Sequence, residues 1–207
     1  MTPLSKTALL ILTSIVFISF EVTAQEMKMK EEEGKMKMGM EDLKNWPMAA
    51  QMAAKEQIAK YGKPNETTAT MLVWHNNGVW KKTVISKMES KHDFPKMHTD
   101  VMEQCINYKV PLDKYDELAQ FDGSITVDRT QGTIAARCDK EENNLLALNL
   151  AYDVITGKKS VEEARDAYGK IVSDAMKGQK SDYMKKLMFT NDMSAADPDK
   201  TTIGVNK

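Results

Sequence analysis

At 207 residues the chain is long enough for one domain with additional segments, since domains usually run to about 100–150 residues. Its formal net charge of −1 sets up no overall field toward nucleic acid or anionic lipid, and its 42% hydrophobic content suits an ordinary globular core. The anomaly is a set of 16 methionines, many of them crowded toward the start of the chain.

Residues 1–24 read as a signal peptide. Lys6 supplies a positive charge, Ala8 to Phe20 form an apolar run, and Val22-Thr23-Ala24 offer small residues for cleavage before Gln25. A helix over that run reaches only about 20 Å, against a hydrocarbon core of about 30 Å. The sequence therefore predicts an exported protein, periplasmic or secreted, with no transmembrane span in the mature chain.

Residues 25–42 form a Met/Lys/Glu-rich arm with no apolar period, expected to be disordered because it buries too little to offset its ordering entropy. Met27, Met29, Met36, Met38 and Met40 alternate with other residues, so neighbouring thioethers can point to one side of an extended chain. Thioethers select Cu(I) over hard ions, which makes the arm a candidate soft-metal ligand set. Lys28, Lys30, Lys35 and Lys37 oppose this by repelling a cation, and Glu31, Glu32 and Glu33 offset them only in part. A plain tether and an oxidant scavenger are the competing readings of the same composition.

Residues 43–190 are expected to fold as a single α+β domain, with 191–207 a disordered tail. A helix runs from Pro47 to Tyr61 and stops at Gly62 and Pro64. A hairpin follows, Thr70–His75 with Val79–Lys87, turning at Asn76-Asn77-Gly78. Met71, Val73, Trp80 and Val84 fall on one of its faces and Leu72, Trp74 and Ile85 on the other, so both faces call for cover. Thr99 to Tyr108 reads as a short helix, Pro111 breaks it, and Leu112 to Phe121 reads as a second.

Next comes a hairpin of Ser124–Arg129 with Thr133–Cys138, its alternation predicting one buried and one polar face. Asp139 with Glu142 and Ser160 with Glu163 have capping-box spacing and open two longer helices, to Gly157 and to Gly178. Leu145, Leu146, Leu148, Leu150, Val154 and Ile155 surround the first of these, marking it as the central helix. A last short helix is expected over Ser181–Phe189. The sum is an antiparallel sheet of about four strands, made of two hairpins and packed with helices.

Cys105 and Cys138 are the only cysteines, and in an oxidising compartment an isolated pair is most simply a disulfide. Closing that loop would stabilise the fold by roughly 3–4 kcal/mol. Buried free thiols and a metal or catalytic role are the alternatives. His98, Met102 and Cys105 share a face if their segment is helical, but about 10.5 Å of helix axis separates the first from the last, so packing is the favoured reading. His75 and His92 stand alone in sequence and read as turn or surface residues. Asp128 and Arg137 read as a cross-strand ion pair. Ser124, Thr126, Asp128, Thr133 and Arg137 make a polar sheet face that either binds a ligand or is simply solvated.

No phosphate-cradling loop, nucleophile elbow, paired-histidine zinc helix or two-pair cysteine pattern occurs. The reading is an exported, non-enzymatic binding or interaction domain, with Cu(I) capture by the arm as its sharpest hypothesis. The alternatives are a secreted enzyme with a loop-built site, drawing on His75, His92, His98 or Asp128, and a structural partner of an envelope protein.

Overall fold

Between Asn77 and Trp80 the chain must reverse within two residues, and it does so with Gly78 at φ 68°, just after Asn76 takes φ 53°. Gly78 is needed twice over, because a Cβ there would sit 3.0 Å from the Tyr61 ring. The computed structural model describes residues 43–191 and 199–204. Residues 1–24, expected to be a signal peptide, and the arm with Met27, Met29, Met36, Met38 and Met40 lie outside the described residues.

The elements are α1 (Met48–Tyr61), β1 (Glu66–Thr67), β2 (Met71–Asn77), β3 (Trp80–His92), β4 (His98–Asn107), α2 (Tyr115–Phe121), β5 (Thr126–Asp128), β6 (Thr133–Cys138), α3 (Glu141–Ile155) and α4 (Val161–Met176). Short 3₁₀ turns at Leu112–Lys114 and Asp182–Met184 precede α2 and follow α4. The strands form one antiparallel sheet in the order β1-β2-β3-β4-β6-β5. The α+β class is therefore as expected, but the sheet has six strands rather than about four. No helix among the described residues is long and apolar enough to cross a membrane.

The main departure is β4, where a helix was expected. Its position explains the error. β4 lies between β3 and β6, and residues on both of its faces are buried, so its apolar residues do not alternate cleanly. A short apolar run buried on both sides cannot be told from a helix by period alone. The last predicted helix is likewise only the 3₁₀ turn at Asp182–Met184.

Helix α1 lies close on the sheet because its buried positions are Ala50, Ala53, Ala54 and Gln57, three of them methyl-sized. Leu72, Trp74 and Ile85 are buried as the hairpin pattern requires. Trp80 departs from that pattern: its indole N–H donates to Glu141 at the start of α3, 2.8 Å away. The opposite face is not fully covered among the described residues, with Met71 exposed and Val73 and Val84 half-buried. In the second hairpin, β6 is buried on both faces except at Arg137, so the expected polar face is confined to β5.

Helix α3 is the central helix, with Leu145, Leu146, Leu148 and Leu150 all buried. Its buried amides tie neighbouring elements to it. Asn144 donates to the Met102 carbonyl at 3.2 Å and to the Gln104 side chain at 3.0 Å. Asn149 donates to the Tyr183 and Lys186 carbonyls and accepts from the Met188 N–H, holding the segment after α4. Leu146→Ala removes a fully buried side chain from this helix. It is expected to cost about 2–5 kcal/mol in urea unfolding.

The Ser160–Glu163 capping box forms as predicted. The one proposed at Asp139 does not: α3 begins after Lys140 with no side-chain cap. The Asp139 carboxylate instead accepts from the Asn143 amide and the Cys138 thiol.

Candidate metal centre

The long strand β3 pairs with β4 through a register shift between Ile85 and Ser90, then resumes as Ser90 opposite Asp100 and His92 opposite His98. The alternation of a strand puts His92, His98 and Asp100 on one face. The loop from Asp93 to Met97 that joins the two strands is anchored by Phe94. Its ring meets Tyr168 of α4 at 5.1 Å and Phe121 of α2 at 6.4 Å, and the Arg165 guanidinium stacks 4.0 Å above it. The histidines at the two loop ends are thereby held against the helical layer.

Asp100 is the hub. One carboxylate oxygen lies 3.3 Å from His92 Nδ1 and the other 3.1 Å from His98 Nε2. On its far side His92 faces Asp122, with Nε2 at 3.5 Å from Oδ1, and that oxygen also accepts from the Ser124 N–H and hydroxyl. Arg137 Nε stands 3.9 Å from Asp100. Asp100 and Asp122 are each 2% exposed. These groups are close, yet His92 Nδ1, Asp100 Oδ1 and Arg137 Nε make no hydrogen bond. Such an orphaned buried polar atom costs about 1–3 kcal/mol, so a cluster of them calls for an explanation.

A metal ion supplies one. Donors bound at 2.0–2.2 Å to a tetrahedral ion stand about 3.4 Å apart and do not point at one another as hydrogen-bond partners do. The donor atoms of His92, His98 and Asp100 all lie within 4.8 Å of each other. His98 is also oriented for the role, because its Nδ1–H donates to the Lys96 carbonyl at 2.9 Å and turns Nε2 toward Asp100. Something positive must sit between that nitrogen and the carboxylate. Without a metal it is a proton: the adjacent Asp100 carboxylate, helped by Cys138, pushes His98 up to about 11. A bound ion would take that proton's place.

The centre adjoins a cleft of about 340 Å³ whose walls include Pro95, Lys96, His98, Cys138, Tyr168 and Met176. Burial pushes the Cys138 thiol up, against the pull of His98, and pushes the Tyr168 hydroxyl well above its ordinary value.

The other predicted residues fall elsewhere. Cys105 and Cys138 are both free thiols. Met102 pairs with Cys138 and Cys105 with Ala135, so the two cysteines sit on opposite faces of the sheet and the expected disulfide does not form. Alkylation in denaturant without reductant is expected to label two thiols per chain; failure to label either would restore the disulfide. The His98–Met102–Cys105 face dissolves with the helix, since in a strand Cys105 points away from the other two.

His75 is exposed and meets Glu66 at 2.6 Å. Asp128 and Arg137 do not pair. Asp128 accepts from the Gln131 backbone and side-chain amides and lies opposite Thr133, while Arg137 lies opposite Glu103. Thr126, Asp128 and Thr133 line a shallow depression on the open face with Lys82 and Cys105.

Sequence reasoning missed Asp100 and Asp122 altogether and read His92 as isolated. The register places His92 opposite His98, and no fixed sequence spacing announces that.

No protein-family model, curated protein or solved structure matches the chain.

Proposed function

We propose that this is an exported binding domain whose ligand is a divalent transition-metal ion, held by His92, His98 and Asp100. The observation that carries the reading is the convergence of two imidazoles on one buried carboxylate, with His92 Nδ1 and Asp100 Oδ1 both buried and making no hydrogen bond. Two nitrogens and an oxygen suit Zn(II) or a neighbouring borderline ion better than Cu(I). Export rests on the signal-like residues 1–24. The methionine arm keeps its proposed Cu(I) role as a separate, softer site, to be tested by deleting residues 25–42.

The test is calorimetric titration of the purified, chelator-stripped protein with Zn(II). One ion per chain, bound at least 10-fold more weakly by His92→Ala, is the expected result. Equal binding by both proteins, or none by either, would sink the reading.

A further inference from the structure

The centre has a near neighbour that the three-residue set does not include. Cys138 lies directly across the β4–β6 ladder from Met102, and His98, Asp100 and Met102 alternate along β4. The thiol therefore rises from the same face as the two β4 ligands, one strand over. It lines the same cleft as His98, although its sulfur stands outside the group of donors that lie within 4.8 Å of one another, so ligation draws the thiol inward by a side-chain movement. The thiol donates a 3.4 Å hydrogen bond to the Asp139 carboxylate on the next residue, a bond that uses its proton and not its lone pairs. Cys138 is 4% exposed, so the sulfur is screened from bulk water.

Resting on the metal-binding reading above, we infer that Cys138 is the fourth protein ligand, making the centre a closed two-histidine, one-aspartate, one-thiolate site. Binding replaces the S–H bond by a sulfur–metal bond and releases the proton to solvent, with no change of oxidation state. A thiolate among nitrogen and oxygen donors favours a tetrahedral ion such as Zn(II) over Mg(II) or Ca(II), which prefer all-oxygen shells. With four protein donors no position is left for substrate, so the centre would hold or sequester its ion rather than activate water. Cys105, on the opposite face, is a built-in control.

Co(II) is the probe, because thiolate ligation gives it an intense near-ultraviolet charge-transfer absorption distinct from its visible ligand-field bands. Added to the purified, metal-free full chain, Co(II) is expected to produce both. Cys138→Ser should lose the charge-transfer band, keep visible bands, and bind more weakly by more than the roughly 10–100-fold that an outer-sphere partner costs. Cys105→Ser should change neither. The wild-type spectrum decides even if Cys138→Ser folds poorly. Visible bands without charge transfer would overturn the thiolate and leave the three-ligand centre standing. Charge transfer lost in Cys105→Ser but kept in Cys138→Ser would also overturn it. No Co(II) binding at all would remove the metal centre and this inference together.

Discussion

Glu141→Ala is expected to destabilise the folded domain by about 3–5 kcal/mol, the range for removing one partner from a buried charged network. The Glu141 carboxylate gathers four donors from distant parts of the chain: Tyr61 Oη–H at 2.7 Å, Trp80 Nε1–H at 2.8 Å, Lys60 Nζ at 3.1 Å and Gln57 Nε2 at 3.2 Å. It thus joins α1, the first hairpin and the N-terminus of α3, where a negative charge is also favoured by the helix dipole. Truncation leaves the Trp80 and Gln57 donors buried without an acceptor. Lys60, half exposed, loses little. Glu141→Gln, which retains one acceptor oxygen, should cost about 1–3 kcal/mol, and urea unfolding of the three proteins gives the comparison.

The same residue predicts a pH dependence. Burial alone would raise Glu141, but the hydrogen bonds from Tyr61, Trp80 and Lys60 outweigh it and hold the group below its ordinary value. The folded state therefore binds the proton less readily than the unfolded state. Its stabilisation is full above the unfolded value and is lost as pH falls through the lower, folded one. Wild-type and Glu141→Gln stabilities should converge on acidification in that window. A gap that stayed constant would show that the charge contributes nothing.

Asp100→Asn carries the second large effect. Asparagine keeps the size of the side chain but loses the charge and one of the two acceptor oxygens that face His92 and His98. Zn(II) affinity should fall by well over the roughly 10–100-fold that the loss of even an outer-sphere partner costs. The neighbouring Asp122→Asn touches His92 only from its far side and should stay within that smaller range. Competition against a chelator of known affinity measures both. If the two variants weaken binding equally, Asp100 is not a ligand and the cluster is a charge network alone.

Local chemistry is legible along this chain wherever one residue's conformation decides. The Asn76-Asn77-Gly78 turn, the Ser160–Glu163 box, the stop at Gly62 and the leucine-rich central helix α3 were all readable without tertiary contacts. From these the α+β class follows. The identity of β4 was not readable, because a strand buried on both faces has lost the alternation by which strands are recognised.

That one element controlled everything read about the site. Taken as a helix, it put Cys105 beside His98. As a strand it sends Cys105 to the opposite face and sets His98 against His92 across the ladder. Apart from β4, the composition and order of residues made most segments, the turns and the apolar helix that fills the core legible. Only the strand register, which is a long-range pairing and leaves no mark on local spacing, decided that two histidines and Asp100 should meet.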